Sequence, residues 1–141
     1  MKHVLMSLCG ALIVLASGCE SNDGNSTGNG TVLPGTKWRL SAWSANSLDP
    51  ARFTITADFD ESRISGTSAV NSYGGRYSAT ASGEFSIGAL ESTLMAGSED
   101  AMRAERIYLE LLAQARKYTV SDTTLTFLDG GSNESLVFRK R

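Results

Sequence analysis

The chain has 141 residues, with 13 Lys and Arg against 15 Asp and Glu and a formal net charge of −2. This balance lacks the basic excess of a nucleic-acid-binding protein, and we expect no nucleic-acid partner. The single histidine, His3, lies in a segment that we expect to be removed on maturation. A Ser–His or Cys–His nucleophile and a histidine metal site are therefore excluded for the mature chain, and we predict no catalytic residue, cofactor or metal.

The N-terminal residues indicate a bacterial lipoprotein signal peptide. A short basic start is followed by an apolar run from Val4 to Ala16, and small residues then precede Cys19. A run of about thirteen apolar residues suits a signal peptide and is too short to span a bilayer. We predict that residues 1–18 are the signal peptide and that Cys19 carries the lipid. The alternative is an ordinary secretory signal with a free Cys19 thiol.

Cysteine usage supports the lipid anchor. Cys9 lies in the apolar run and would be removed with it, which leaves Cys19 without a disulfide partner in an exported protein. Glu20 follows the cysteine, at a position where Asp favours retention in the inner membrane of enterobacteria. We therefore expect an envelope protein that is lipid-anchored to the outer membrane on its periplasmic face.

A polar, flexible segment follows the anchor. Residues 20–31 are rich in Gly, Ser and Asn, and none of them could enter a core. Such a segment behaves as a tether with a root-mean-square span of roughly 20 Å. We assign residues 19–34 to the lipidated N-terminus and the tether, and residues 35–141 to a single folded domain.

The first half of the domain is predicted to be β. Alternation of apolar and polar residues predicts strands at 36–43, 53–59, 63–68, 77–80 and 84–87. In the first strand, Trp38, Leu40 and Ala42 are expected to share the buried face. The stretch 71–77 contains two successive glycines, and we predict a long turn there.

One helix interrupts the β pattern. Ser98 is a favourable N-cap, and Glu99 and Asp100 suit the first turn of a helix. Apolar residues then recur at helical spacing, so we predict a helix at 99–116. Short strands are expected at 118–120, 125–128 and 135–139. The predicted fold class is mainly β with one long helix (α+β), a small antiparallel β-barrel-like or half-barrel sheet packed on that helix.

Carboxylates are the remaining candidates for chemistry. Residues 58–61 could bind a cation or supply one acid of a glycosidase pair, but a solvated hairpin turn is the preferred interpretation. Glu105 lies at the edge of the apolar face of the helix, and we predict that it pairs with an arginine such as Arg63 or Arg76. The basic C-terminus, residues 139–141, is interpreted as a solvated tail.

The predicted turn at 71–77 is the candidate for contact with a partner. Aromatic residues on exposed loops are frequent contact residues. Here Tyr73 and Tyr77 flank the two glycines, and Asn71 and Arg76 lie beside them. The competing interpretation is that at least one of the tyrosines packs into the core.

The domain resembles the META/HslJ family of small bacterial lipoproteins and secreted proteins. The likeness covers residues 35–138 and is carried by a series of motifs in order: Gly35-Thr-Lys-Trp38-Arg-Leu40, Asn71-Ser-Tyr73-Gly-Gly75-Arg-Tyr77, Thr93-Leu-Met95-Ala96 and Met102-x-x-Glu105. Two positions depart from the pattern, since Val70 and Gly97 stand where family members often carry cysteines.

The resemblance implies a barrel-like sheet with one helix, and a link to heat-shock and drug-stress responses without an established enzymatic activity. We expect a non-enzymatic, monomeric lipoprotein that binds a membrane through its lipid and a protein or lipid partner through its domain. The alternative is a periplasmic inhibitor that inserts the 71–77 loop into a hydrolase. A hydrolase that uses carboxylates alone is less favoured.

Overall fold

The computed structural model describes residues 33–141, so the predicted signal peptide, Cys19 and residues 20–32 of the predicted tether lie outside the described residues. The described elements, in chain order, are β1 (Lys37–Trp43), a 3₁₀ turn (Pro50–Arg52), β2 (Thr56–Phe59), β3 (Arg63–Thr67), β4 (Ser72–Ala79), β5 (Phe85–Ile87), β6 (Glu91–Ser92), α1 (Glu99–Gln114), β7 (Lys117–Val120), β8 (Thr124–Leu128) and β9 (Glu134–Lys140).

The strands form an antiparallel sheet that closes on itself. Their order is β5-β4-β3-β2-β1-β9-β8-β7, and β6 pairs separately with β4. The two outer strands meet through hydrogen bonds from the Phe85 amide to the Arg116 carbonyl (2.8 Å) and from the Tyr118 amide to the Gly83 carbonyl (2.9 Å). The expected fold class, a small barrel-like sheet with one helix, is confirmed.

Aromatic rings fill the interior of this barrel. Phe127 lies at the centre, with ring centroids 4.6 Å from Phe85, 5.9 Å from Phe138 and 6.4 Å from Phe59. Every buried hydrophobic residue of the described chain lies between Leu33 and Phe138. These rings and the aliphatic side chains packed around them occupy the interior of the barrel. This filled interior favours contacts at the surface over a ligand held inside the barrel.

A β-bulge near the end of β1 reverses which side chains point into the core. Leu40 lies opposite Phe138 and Ala42 lies opposite Val137, so the register shifts between them. Trp38 and Leu40 point into the core as predicted, whereas Ala42 is exposed and Trp43 is partly buried. The prediction that Ala42 faces the core is wrong, because the extra residue of a bulge reverses the alternation beyond it.

The helix begins as predicted and ends two residues early. Ser98 Oγ accepts a hydrogen bond from the Ala101 amide (3.3 Å), and Glu99 and Asp100 follow in the first turn. The backbone becomes extended at Ala115 (ψ 133°), which ends α1 at Gln114. Ala104, Tyr108 and Leu112 form its buried face.

The barrel has two distinct ends. At the tether end, Leu33 is fully buried, and the Gly35 amide donates to the Phe59 carbonyl (2.8 Å). Leu33, which we assigned to the tether, therefore packs in the core. Because β1, β2 and β3 are successive antiparallel neighbours, the β3–β4 turn lies at the opposite end. Helix α1 packs there, so we call it the helix end.

Residues 71–77 are not a loop. Ser72–Ala79 forms β4, which pairs with β3, β5 and β6. Gly75 does not turn the chain; it allows residues 89–90 to pass close to β4. A Cβ at this position would lie 3.0 Å from the Ala89 carbonyl oxygen and 3.1 Å from Leu90 Cδ2. The predicted turn is therefore wrong, because glycines that admit a crossing segment give the same local signal as glycines that turn the chain.

Candidate functional site

Glu105 links the helix to the β3–β4 turn. The residue is only 7% exposed. Oε2 accepts hydrogen bonds from Ser68 Oγ (2.7 Å) and the Asn71 amide (2.8 Å), and Oε1 accepts from Asn71 Nδ2 (2.8 Å). The predicted ion pair with an arginine is wrong: among the described residues, its partners are neutral donors.

These donors hold Glu105 in its ionised form. Burial by itself raises the pKa of Glu105, but the hydrogen bonds from Asn71, Ser68 and the backbone amide of Val70 together outweigh it, so the pKa lies below its usual value. A carboxylate saturated by donors in this way is a poor proton acceptor. Its role is therefore to position the turn and the helix rather than to act as a general acid or base.

Asn71 carries the connection further, to the segment that leads into the helix. Its Oδ1 accepts hydrogen bonds from Thr93 Oγ1 (2.8 Å) and from the Met95 amide (2.7 Å). Its Nδ2 also donates to the Met95 carbonyl (3.2 Å). One buried side chain thus fastens the residues on both sides of Leu94. We call this arrangement the Asn71 bracket.

The bracket presents two apolar side chains to solvent. Leu94 is 97% exposed and Met95 is 57% exposed, and they are the exposed large hydrophobic residues of the described chain. The preceding residues are held by pairing of Ser92 with Tyr73 and by a hydrogen bond from the Thr93 amide to the Ser72 carbonyl (3.0 Å). Leu94 and Met95, the apolar tip, therefore project from a fixed backbone at the helix end.

The four predicted contact residues separate in the structure. Asn71 is 2% exposed and Tyr73 is 4% exposed, while Arg76 is exposed and Tyr77 is partly buried. Tyr77 packs edge-on against Phe59 (5.2 Å) and donates to the Asp60 carbonyl (2.7 Å). The interpretation that at least one tyrosine packs into the core is confirmed for Tyr73. Contact of Arg76 and Tyr77 with a partner stays a prediction.

Tyr73 belongs to a buried hydroxyl chain. Its hydroxyl donates to the Thr56 carbonyl (2.8 Å), which leaves the Tyr108 hydroxyl to donate to Tyr73. Burial raises the pKa of both tyrosines above the ordinary value. Both hydroxyls therefore stay protonated, and the chain ties β4 to α1 and β2 as a structural contact.

The other candidate carboxylates serve turns and surface pairs. Asp60 Oδ1 accepts from the Ser62 and Arg63 amides (3.0 and 2.7 Å), which lowers the pKa of Asp60. Residues 139–141 are solvent-exposed as predicted, but they are not a tail: residues 139–140 belong to β9, and Arg141 pairs with Asp58. Within residues 33–141, no group of three or more His, Cys, Asp or Glu is placed to hold a metal. None of the described helices is long and apolar enough to cross a membrane.

Val70 and Gly97 contact each other across the fold. A Cβ on Gly97 would lie 2.7 Å from Val70 Cγ2 and 3.5 Å from Val70 Cβ. The two departures from the cysteine pattern are thus adjacent in space, and the methyl groups of Val70 occupy the room that Gly97 leaves. This contact joins the start of the helix cap to the β3–β4 turn, next to the Asn71 bracket.

Sequence reasoning missed the apolar tip. Leu94 and Met95 are two adjacent apolar residues between polar Ser92–Thr93 and the helix cap at Ser98, a position where a core contact is not required. That isolated pair is the signal that could have drawn attention to them. Their exposure depends on Asn71, more than twenty residues earlier in the chain.

Comparisons with known proteins place the domain. The family model described as META domain matches residues 31–141. A solved structure of a protein from Burkholderia xenovorans shares 28% identity and a TM-score of 0.65, and covers 77% of this chain and 83% of its own. A DUF4847 family protein from Bacteroides vulgatus, at 14% identity and a TM-score of 0.56, covers 77% of this chain and 94% of its own, and shows the fold alone. No curated protein matches the chain.

Proposed function

This chain belongs to the META domain family, and from that premise we propose a non-enzymatic lipoprotein of the cell envelope. Its lipid on Cys19 anchors it to the periplasmic face of the outer membrane. Its domain binds a partner protein through the apolar tip, Leu94 and Met95. The observation that carries the proposal is the Asn71 bracket, which holds a leucine 97% exposed on a fastened backbone.

A leucine that is held exposed on a fixed backbone contributes little to the stability of the fold and is suited to binding a partner. Exposed apolar side chains that stand singly are common, but here two neighbours project together. Because the backbone on both sides is already hydrogen-bonded, little conformational entropy remains to be lost when a partner covers the tip. The buried polar contacts of Asn71 and Glu105 thus support a preorganised contact surface.

We propose a non-enzymatic function because the polar side chains of the domain are not arranged for catalysis. The mature sequence has no histidine, and the buried carboxylate of Glu105 is saturated by donors. The buried hydroxyls of Tyr73 and Tyr108 have raised pKa values and bond to each other. None of these groups supports an activated nucleophile.

An inhibitor that acts through residues 71–77 lacks its structural basis. That segment is strand β4, and Tyr73, the side chain expected to enter a hydrolase, is buried and bonded to the Thr56 carbonyl. We therefore keep partner binding through the apolar tip as the single proposed activity. From the resemblance to the family we further propose that this binding serves a response to envelope or drug stress.

The anchor is tested separately from the domain. Metabolic labelling with a palmitate analogue is expected to mark the wild-type protein and not a Cys19→Ser variant, and only the wild type is expected in the outer-membrane fraction. A Ser21→Ala variant is the matched control, because it changes a neighbouring small residue without removing the thiol. Labelling that persists in Cys19→Ser would overturn the anchor.

The partner is tested by site-specific cross-linking in cells. A photoreactive residue at position 94 is expected to give a discrete cross-linked species, and the same residue at exposed Ala113 on α1 is expected to give none. Leu94→Glu should abolish cross-linking from position 95 without changing the free energy of unfolding by more than about 0.5 kcal/mol. Identical products from positions 94 and 113 would count against a specific contact.

A further inference from the structure

A row of cations covers the outer face of β1 and β9. Trp38, Leu40 and Phe138 point inward, so the alternate residues face solvent. These outward residues, which we call the basic wall, are Lys37, Arg39, Arg139 and Arg141. They place four basic side chains on β1, on β9 and on the residue that follows β9, in a chain whose formal net charge is −2.

The charges of the wall are only partly used in contacts within the fold. Arg39 and Arg139 are direct partners in the β1–β9 ladder, and like charges at such positions weaken a sheet. Arg139 Nη1 donates to the neutral Thr124 Oγ1 (2.8 Å). Asp58 is the carboxylate that the wall contacts: it pairs with Arg141, and Lys37 Nζ lies 4.0 Å from it. Among the described residues, Arg39 and Arg139 form no ion pair with a carboxylate.

The wall also lies at the tether end of the barrel. Lys37 begins β1 only four residues after the buried Leu33, and the Arg141 amide donates to the Lys37 carbonyl (2.9 Å). The tether predicted from the sequence, which lies outside the described residues, would join this end of the domain to Cys19. The apolar tip lies at the helix end instead.

We propose that the basic wall docks on the anionic surface of the membrane to which the protein is anchored. Guanidinium groups suit lipid phosphates because their N–H groups form a planar fork that binds two phosphate oxygens. Docking would fix the orientation of the domain and direct Leu94 away from the lipid surface. This orientation rests on the proposed anchor, whereas the affinity of the wall for anionic lipid does not.

The affinity is measured on the chain from residue 19 with Cys19→Ser, which lacks the acyl group and keeps every buried hydrophobic residue of the described chain. We expect it to cosediment with phosphatidylcholine vesicles that contain about 30 mol % phosphatidylglycerol and not with phosphatidylcholine alone. Binding should fall between about 20 mM and about 200 mM salt, because surface charges are screened.

Two double variants distinguish binding by the basic wall from binding by positive charge elsewhere on the surface. Arg39→Gln with Arg139→Gln is expected to lower the vesicle partition coefficient on the order of 25-fold, about five-fold for each cation near the surface. Arg103→Gln with Arg106→Gln removes two exposed cations from α1 and should change it less than about three-fold. Thermal unfolding of both variants verifies that each is folded.

Three results would overturn the proposal: equal binding to both kinds of vesicle, binding that salt does not weaken, or equal losses in the two double variants. The acylation test at Cys19 is independent of all three. If the anchor failed and the vesicle result held, the proposed lipoprotein function would fall while the membrane-binding wall remained. The reverse outcome would leave an anchored protein with no docking surface on β1 and β9.

Discussion

The contact between Val70 and Gly97 predicts that a disulfide can be built at the two positions where relatives often carry cysteines. The Cβ of a residue at position 97 would lie 3.5 Å from the Cβ of residue 70, within the range that disulfides adopt. The φ angle of Gly97 is not positive, so a cysteine there meets no backbone strain. We expect Val70→Cys with Gly97→Cys to oxidise without rearrangement of the fold.

The magnitude follows from the loop that the bond would close. For a loop of about 28 residues, the chain-entropy model gives a stabilisation of roughly 3.5 kcal/mol. Loss of the Val70 methyl groups, which are only partly buried, costs about 0.5–1.5 kcal/mol. The oxidised variant should therefore exceed the wild type in free energy of unfolding by about 2–3 kcal/mol.

Urea unfolding of the wild type and of the oxidised double variant, both in a Cys19→Ser background, measures this gain. The transition midpoint of the oxidised variant should lie roughly 1–2 M urea above that of the wild type. Each single cysteine variant is a control, because it carries the packing change without the bond. A double variant that does not form an intramolecular disulfide in mild oxidant would show that the two positions are not adjacent. A disulfide that forms without raising the midpoint would show that the native geometry is strained.

Three further substitutions test the contacts around the Asn71 bracket. Asn71→Ala should lower the free energy of unfolding by roughly 2–4 kcal/mol and remove hydrogen-exchange protection from the Met95 amide; protection that survives would mean that the amide has another acceptor. The pKa of Glu105 is lowered in the fold, so its contribution is complete above the unfolded pKa and is lost as pH falls through the folded pKa. Glu105→Gln should therefore reduce stability at neutral pH and flatten its decline in acid, and a decline as steep as in the wild type would exclude this carboxylate as its source. Gly75→Ala should lower the free energy of unfolding by about 1–3 kcal/mol, because the new Cβ would lie 3.0 Å from the Ala89 carbonyl oxygen. Gly88→Ala is the control and should be nearly neutral, because its Cβ would lie 3.5 Å from the Arg76 carbonyl oxygen. Equal effects of the two substitutions would contradict the close approach at Gly75.

Local patterns predicted the parts of the fold that local physics determines. The N-cap at Ser98 and the recurrence of Ala104, Tyr108 and Leu112 depend on spacing within one helix, and the structure has all of them. Alternation in β2, β8 and β9 likewise needs only one buried face. The bulge in β1 could not be predicted, because it depends on the register against β9.

The candidate site depended on contacts across the sequence. Glu105 was identified from its place on the helix, but its donors come from Ser68 and Asn71, which lie 37 and 34 residues away. An arginine partner is the usual expectation for a buried carboxylate. Here a side-chain amide, a hydroxyl and a backbone amide take its place, a solution that is visible only once the β3–β4 turn faces the helix.

The buried polar contacts determine where the exposed apolar tip lies. A small barrel with a filled aromatic core does not need a carboxylate and an amide inside it, because apolar residues of similar shape can stabilise a fold as well as a satisfied polar group. What the polar pair supplies is position: Glu105 fixes Asn71, and Asn71 fixes the backbone on both sides of Leu94. The tip is thereby held at the helix end, while the basic wall occupies the tether end. In the function that we propose, the basic wall binds the membrane and the apolar tip at the helix end binds a partner.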